Sequence, residues 1–194
     1  VAGGGTMLRY SGDVAMLPTS ILQAALLPVL IALLADDFAR RDLTTIRNTT
    51  IRALLWVCGL LLASAALLYF IRTPLLRLVF LHGKMDVAGV DRMAALLPYH
   101  LVGLAPFGAL LVLSRAHVAI KNGGIMIGMG VFNAVSNIVF NLVLLRVLGL
   151  EGLALSTSCV QLAVAIVFWF KLESKLTRLR SDPASPPADL AEGA

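Results

Sequence analysis

Apolar residues gather in five long blocks, and polar residues are confined to the stretches between them. The blocks span 14–35, 53–71, 93–114, 124–145 and 152–170, and none contains Asp, Glu, Lys or Arg. Each has about the 20 residues that a helix needs to cross the hydrocarbon core of a bilayer. Nothing alternates with the period of two that marks a membrane β-strand, so the expected elements are helices. The pattern predicts an all-α, polytopic transmembrane bundle of about five spans. Pro18, Pro28, Pro98 and Pro106 fall inside the blocks. In a bundle, neighbouring helices satisfy the carbonyls that such prolines free.

The intervening segments set the organisation. Residues 74–82 are too short to cross; Pro74 suits the first turn of a helix, and the leucines predict an amphipathic surface segment. Beyond Leu172 the composition turns to Pro, Ala and Ser, which predicts a disordered tail over 173–194. The bundle is thus expected over 14–172, preceded by an outer end at 1–13. The chain opens on Val1 with no signal peptide before the first span, and this points to the C-terminal portion of a longer transporter.

Composition excludes the alternatives. The 194 residues are 59% hydrophobic and 14% charged, with a mean hydropathy of +0.89. A soluble domain carries about 25% charged residues, and this chain lacks the polar surface to cover itself. The net charge of +5 and pI near 9.7 do not imply nucleic acid, because no basic stripe carries stacking aromatics. The basic residues instead set topology. Ten lie in 36–52, 115–123 and the tail, against six on the opposite side. The ten-residue side is expected in the cytoplasm, with the N-terminal end periplasmic and the C-terminal tail cytoplasmic. Trp56 and Trp169 fit as anchors near the cytoplasmic ends of their helices. Cys58 and Cys159 lie in apolar blocks and read as small hydrophobes.

Chemistry-bearing residues are few. His82, His100 and His117 have no metal-ligand spacing, and no catalytic constellation is present, so neither an enzyme nor a metal or cofactor is expected. Gly3–Gly5 lacks the strand–helix context of a nucleotide loop. The polar groups at membrane depth stand out. Asn133, Asn137 and Asn141 recur every four residues and form one stripe along a helix. Amides in hydrocarbon need partners, so the stripe faces protein or water. It is either a cavity wall offering donors and acceptors to a headgroup or hydrogen-bonding glue between helices. Gly124 and Gly128 form a small-xxx-small pair that suits close packing, and Ser156, Ser158 and Gln161 also suit packing. Arg9, Tyr10 and Asp13 stand at the mouth of the first, Pro-kinked span, placed to meet a charged substrate or to pair with each other.

The order of residues resembles the MurJ/MviN-type lipid II flippases of the multidrug/oligosaccharidyl-lipid/polysaccharide exporter superfamily. Tyr10 stands eight residues before Pro18, and the first apolar helix ends at Phe38-Ala39. Pro74-Leu75, Phe80 and His82-Gly83-Lys84 resemble the family's Pro-Leu…Phe-x-x-Gly-x-Phe loop, with Met85 in place of the last aromatic. Tyr99, Gly103 and the segment 116–122 follow. Last come Asn137-x-x-x-Asn141 and Leu148-Gly149-x-x-Gly152-Leu-Ala-Leu-Ser156, the most specific pattern. The resemblance implies two six-helix lobes around a central cavity, with these five spans as helices eight to twelve. It reaches neither the first lobe nor the helices beyond the core. It also implies the orientation that loop charge gives.

Two departures stand out. Gly12 and Asp13 occupy positions where the family commonly carries an Asp-Arg pair, the Arg implicated in holding pyrophosphate. Ala116 and His117 replace an aromatic pair. The implied function is inner-membrane transport of a lipid-linked oligosaccharide, lipid II or a related precursor, for peptidoglycan synthesis by alternating access. The implied partners are that substrate, membrane lipids and an N-terminal lobe of the same protein. Two other readings compete: a polysaccharide or small-molecule exporter of the superfamily, and a non-transporting membrane scaffold.

Overall fold

The computed structural model describes residues 4–81 and 86–181. Seven helices follow in order among them: α1 (Gly4–Ala25), α2 (Leu27–Ala39), α3 (Leu43–Phe80), α4 (Val87–Leu101), α5 (Leu104–Ala119), α6 (Gly124–Leu148) and α7 (Leu150–Ser181). No strand occurs among the described residues. Helices α3, α6 and α7 are each long and apolar enough to cross a bilayer. The pairs α1–α2 and α4–α5 are bent by 45° and 44°, so the bundle has up to five spans if each bent pair is one.

Proline chemistry explains where the bends fall. Pro28 lies in the first turn of α2 and Pro106 in the first turn of α5. A proline there has no intrahelical acceptor to lose, so the preceding residues are free to break. Pro18 and Pro74 instead sit inside continuous helices. The segment at 74–82 is therefore not a separate surface helix with Pro74 in its first turn, as expected from its length. Its described part runs on from α3 as far as Phe80. Fully buried Leu76 holds this extension in the core, and the Arg72 guanidinium donates to the Tyr69 carbonyl at 2.6 Å just before the proline.

The polar segments beside the apolar blocks are helical too. Asp36–Ala39 completes α2, and α3 begins at Leu43, leaving a three-residue turn. Asp42 caps α3, its carboxylate accepting from the Thr45 N–H at 2.9 Å and the Thr45 hydroxyl at 2.6 Å. Helix α7 likewise runs through Lys171–Ser181. These ends meet: Arg47 Nε donates to Glu173 at 2.7 Å, and Arg180 donates to the Thr44 hydroxyl at 3.2 Å. At the far end of α3, Arg77 pairs with Asp91 at 3.1 Å.

Helix α5 is central, packing on α2, α3 and α7, while α4 packs on α1 and α3. Gly108 permits the α3–α5 contact, since an added Cβ would stand 2.4 Å from Leu61 Cδ1 and 2.9 Å from Val57 Cγ1. The buried core includes Leu34, Leu61, Leu97 and Leu104. Helix α6 stands at the edge and packs on α7. Its face carries exposed Ile127, Val131, Val135 and Ile138. In lipid such exposure has no water to avoid, and packing rather than the hydrophobic effect joins the helices.

Candidate functional site

The α6–α7 turn places the site. Gly149 ends α6 at φ 65° and ψ −138°, a region essentially reserved for glycine. Gly152 then passes so close to α6 that an added Cβ would lie 2.1 Å from the Leu144 carbonyl oxygen. The two glycines fold α7 back along α6 and bring Ser156 opposite Asn141. Asn141 Nδ2 donates to Asn137 Oδ1 at 2.6 Å. The Ser156 hydroxyl faces Asn141 Oδ1, with the Leu153 carbonyl 2.8 Å away as its other acceptor. Ser156 is fully buried, and Asn137 and Asn141 are partly so. Asn133, one turn nearer the start of α6, is exposed. The stripe thus divides into a hydrogen-bonded pair that joins α7 and an open amide along the same helix.

The residues at the mouth of the first span form a second group. Arg9 and Asp13 pair across one helical turn at 4.0 Å, with 82% and 68% of their side chains exposed. The Tyr10 ring packs on Phe80 at 5.7 Å between centroids, which ties α1 to the end of α3. The two groups have different partners: Tyr10 packs on Phe80 of α3, whereas Asn137 and Asn141 bond to each other and to Ser156 of α7. Gly12, where the family commonly has a carboxylate, faces His100; an added Cβ would meet its Cε1 at 3.4 Å. A larger side chain at position 12 would displace that imidazole.

Three arrangements were not legible in the sequence. Gly103, at the α4–α5 bend, lies under α7, where an added Cβ would be 2.6 Å from Ser158 Oγ and 3.1 Å from Gln161 Oε1. The Tyr99 hydroxyl donates to Glu151 at 2.9 Å. His117 is fully buried, with Nε2 3.0 Å from the Phe168 carbonyl and Nδ1 3.0 Å from Asn122 Nδ2. Spacing gives no sign of these, because each partner lies on another helix or across a turn. Conversely, nothing lies within 4 Å of an added Cβ at Gly124 or Gly128. The close packing expected of that pair is absent among the described residues, because the two glycines lie off the face of α6 on which Ile125, Met126 and Met129 pack against the core. The loop at His82-Gly83-Lys84 and Met85, and the tail beyond Ser181, lie outside the described residues.

Long apolar helices with polar side chains bonded between them define a polytopic helical membrane bundle. The family model described as lipid II flippase MurJ matches residues 1–182, and the chain belongs to that family. Among its relatives, a protein of Bdellovibrio bacteriovorus described as a probable lipid II flippase MurJ is 29% identical over 177 residues, covering 89% of this chain and 33% of that protein. A solved lipid II flippase MurJ in an inward closed conformation shares the fold, with a TM-score of 0.76 and 22% identity over 88% of this chain and 36% of that one. The chain therefore spans about a third of the length of these relatives.

Proposed function

We propose that these helices form part of a flippase that carries a lipid-linked glycan precursor, lipid II or a close relative, across the bacterial inner membrane. The observation that carries the reading is the α6 stripe. Asn137 and Asn141 are bonded to each other and to Ser156 on α7, while Asn133 stays open on the helix with the fewest neighbours in the bundle. A helix that displays an open amide on an uncovered side suits the wall of a cavity whose other wall is a second lobe. Family membership supports the substrate class. Transport then proceeds by alternating access: the lobes rock about the headgroup while the prenyl tail stays in lipid. Arg9, Asp13 and Tyr10 contribute at the mouth. No cofactor and no covalent chemistry are needed. The ten-residue basic side faces the cytoplasm, and the start of α1 faces the periplasm.

The test is rescue of growth in bacteria depleted of their own lipid II flippase. The longest open reading frame that contains these residues is expected to restore growth. Asn137→Leu with Asn141→Leu is expected to abolish rescue at an equal membrane level. Failure of the unaltered protein despite good expression would overturn the peptidoglycan assignment and leave the exporter reading. Full rescue by the double variant would return the stripe to a packing role.

A further inference from the structure

A cavity of about 280 Å³ opens between the start of α3 and the end of α7, remote from the amide stripe. Its lining includes Leu43, Thr44, Arg47, Glu173, Leu176 and Arg180. It is about nine times the ~30 Å³ share of a water molecule, roomy enough for a phosphodiester. Two guanidiniums converge there from different helices. The bond to Glu173 uses Arg47 Nε, one of the five N–H donors on a guanidinium, and holds the fork in place. Arg180 is anchored through one terminal nitrogen to the Thr44 hydroxyl at 3.2 Å. A guanidinium fork matches the oxygens of a phosphate in a bidentate fashion, and these two are oriented by their bonds to Glu173 and Thr44. Leu176 is buried in the floor, so the wall is apolar on one side and cationic on the other.

Position adds to this. Both helices reach the cavity by continuing past their apolar blocks, which puts it at the level where bilayer headgroups stand. The polar segments 36–52 and 171–181 that surround it carry eight basic and four acidic residues. A basic pocket between helix ends at headgroup depth selects anionic lipid over zwitterionic lipid.

We infer that the α3–α7 cavity is a phosphate site that takes the headgroup of an anionic phospholipid, gripped by Arg47 and Arg180. Bound there, the headgroup pins the start of α3 to the end of α7 and stabilises the bundle from its charged end.

The test uses the full chain in detergent micelles, titrated separately with phosphatidylglycerol, phosphatidylcholine and inorganic phosphate. Retained lipid is read by native mass spectrometry and stability by the thermal midpoint. Phosphatidylglycerol is expected to be retained in preference to phosphatidylcholine and to raise the midpoint. Arg47→Gln with Arg180→Gln is expected to weaken retention about tenfold, the loss expected from one good charge-assisted bond. Lys171→Gln with Arg178→Gln, which removes the same charge from the same end, is expected to leave it within about twofold. Inorganic phosphate that displaces phosphatidylglycerol identifies a free anion as the occupant; lipid that resists displacement identifies the headgroup. Failure of every probe to bind, or equal losses in the two double variants, would overturn the site. If the arginine double variant does not fold, Arg180→Gln alone decides: it leaves the Arg47–Glu173 pair intact, so retention should weaken several-fold, and unchanged retention overturns the inference.

Discussion

His117 is fully buried where α5 packs on α7, and both its ring nitrogens are used. The Phe168 carbonyl can only accept, which puts the ring proton on Nε2 and leaves Nδ1 to accept from Asn122 Nδ2. A neutral imidazole thus bridges the turn after α5 to the middle of α7, and the ring also packs on Phe168 at 5.1 Å between centroids. His117→Leu keeps the volume and removes both bonds, so it is expected to cost about 1–3 kcal/mol by thermal unfolding in detergent. Because Asn122→Ala breaks one of the same bonds, the double variant should cost less than the two single ones together. Asp42 acts at an exposed position. The Thr45 hydroxyl, then the Thr45 N–H, bonds its carboxylate and holds its pKa below the ordinary value of 3.8. A depressed folded-state pKa gives stability that is present above the unfolded value and lost as pH falls through the folded one. The thermal midpoint should therefore fall below about pH 4 and do so less steeply in Asp42→Asn, whose amide still caps but does not titrate.

Among the elements, the α6–α7 hairpin rests on two glycines with different duties. Gly149 supplies a backbone conformation closed to other residues, and Gly152 lets α7 approach the Leu144 backbone. The atom facing Gly152 is a carbonyl oxygen within a helix, which has no rotamer with which to give way. Gly152→Ala is expected to destabilise the chain by about 1–3 kcal/mol, whereas Gly128→Ala, with open space around it, should be neutral or gain up to about 1 kcal/mol of helix propensity. Parallel unfolding curves check the pair; equal effects would mean that the hairpin contact does not hold α6. The two glycine pairs also show what the sequence makes legible. Gly124 and Gly128 have the small-xxx-small spacing and close no contact, whereas Gly152, with no glycine four residues away, does, because the deciding atom belongs to a neighbouring turn. Apolar blocks likewise locate the helices, since lipid demands long apolar runs. Their ends were not legible: 43–52 and 171–181 are helical without an apolar signal, as the solvated ends of helices carry none. The bends follow the prolines in first turns, Pro28 and Pro106, and spare Pro18 and Pro74. The Asn137–Asn141 pair was legible through its period of four, whereas its partner Ser156 depended on how the glycine turn folds.

At the scale of the whole molecule, charge and contact agree on which ends lie together. The Arg47–Glu173 and Arg180–Thr44 bonds join the start of α3 to the end of α7. Tyr10–Phe80 and Arg77–Asp91 join the start of α1 to the other end of α3 and the start of α4. These contacts define two faces of the bundle, and the ten-to-six bias of basic residues predicts that the start of α3 and the end of α7 lie on the cytoplasmic one. Reporters on both faces check it. Green fluorescent protein fused after Ser181 should fluoresce, since it matures in the cytoplasm, and alkaline phosphatase at the same site should be inactive. Phosphatase fused after Phe80, at the opposite face, should be active. The reverse pattern would invert the bundle. It would also place the α3–α7 cavity in the outer leaflet, away from the anionic cytoplasmic surface that favours a basic pocket. Orientation and lipid selectivity are thus coupled through the same arginines. Neutralising Arg47 and Arg180 removes two of the ten charges from which that orientation is predicted, so the fusions should be repeated in that variant. An unchanged topology together with lost lipid retention separates binding at the cavity from insertion of the chain.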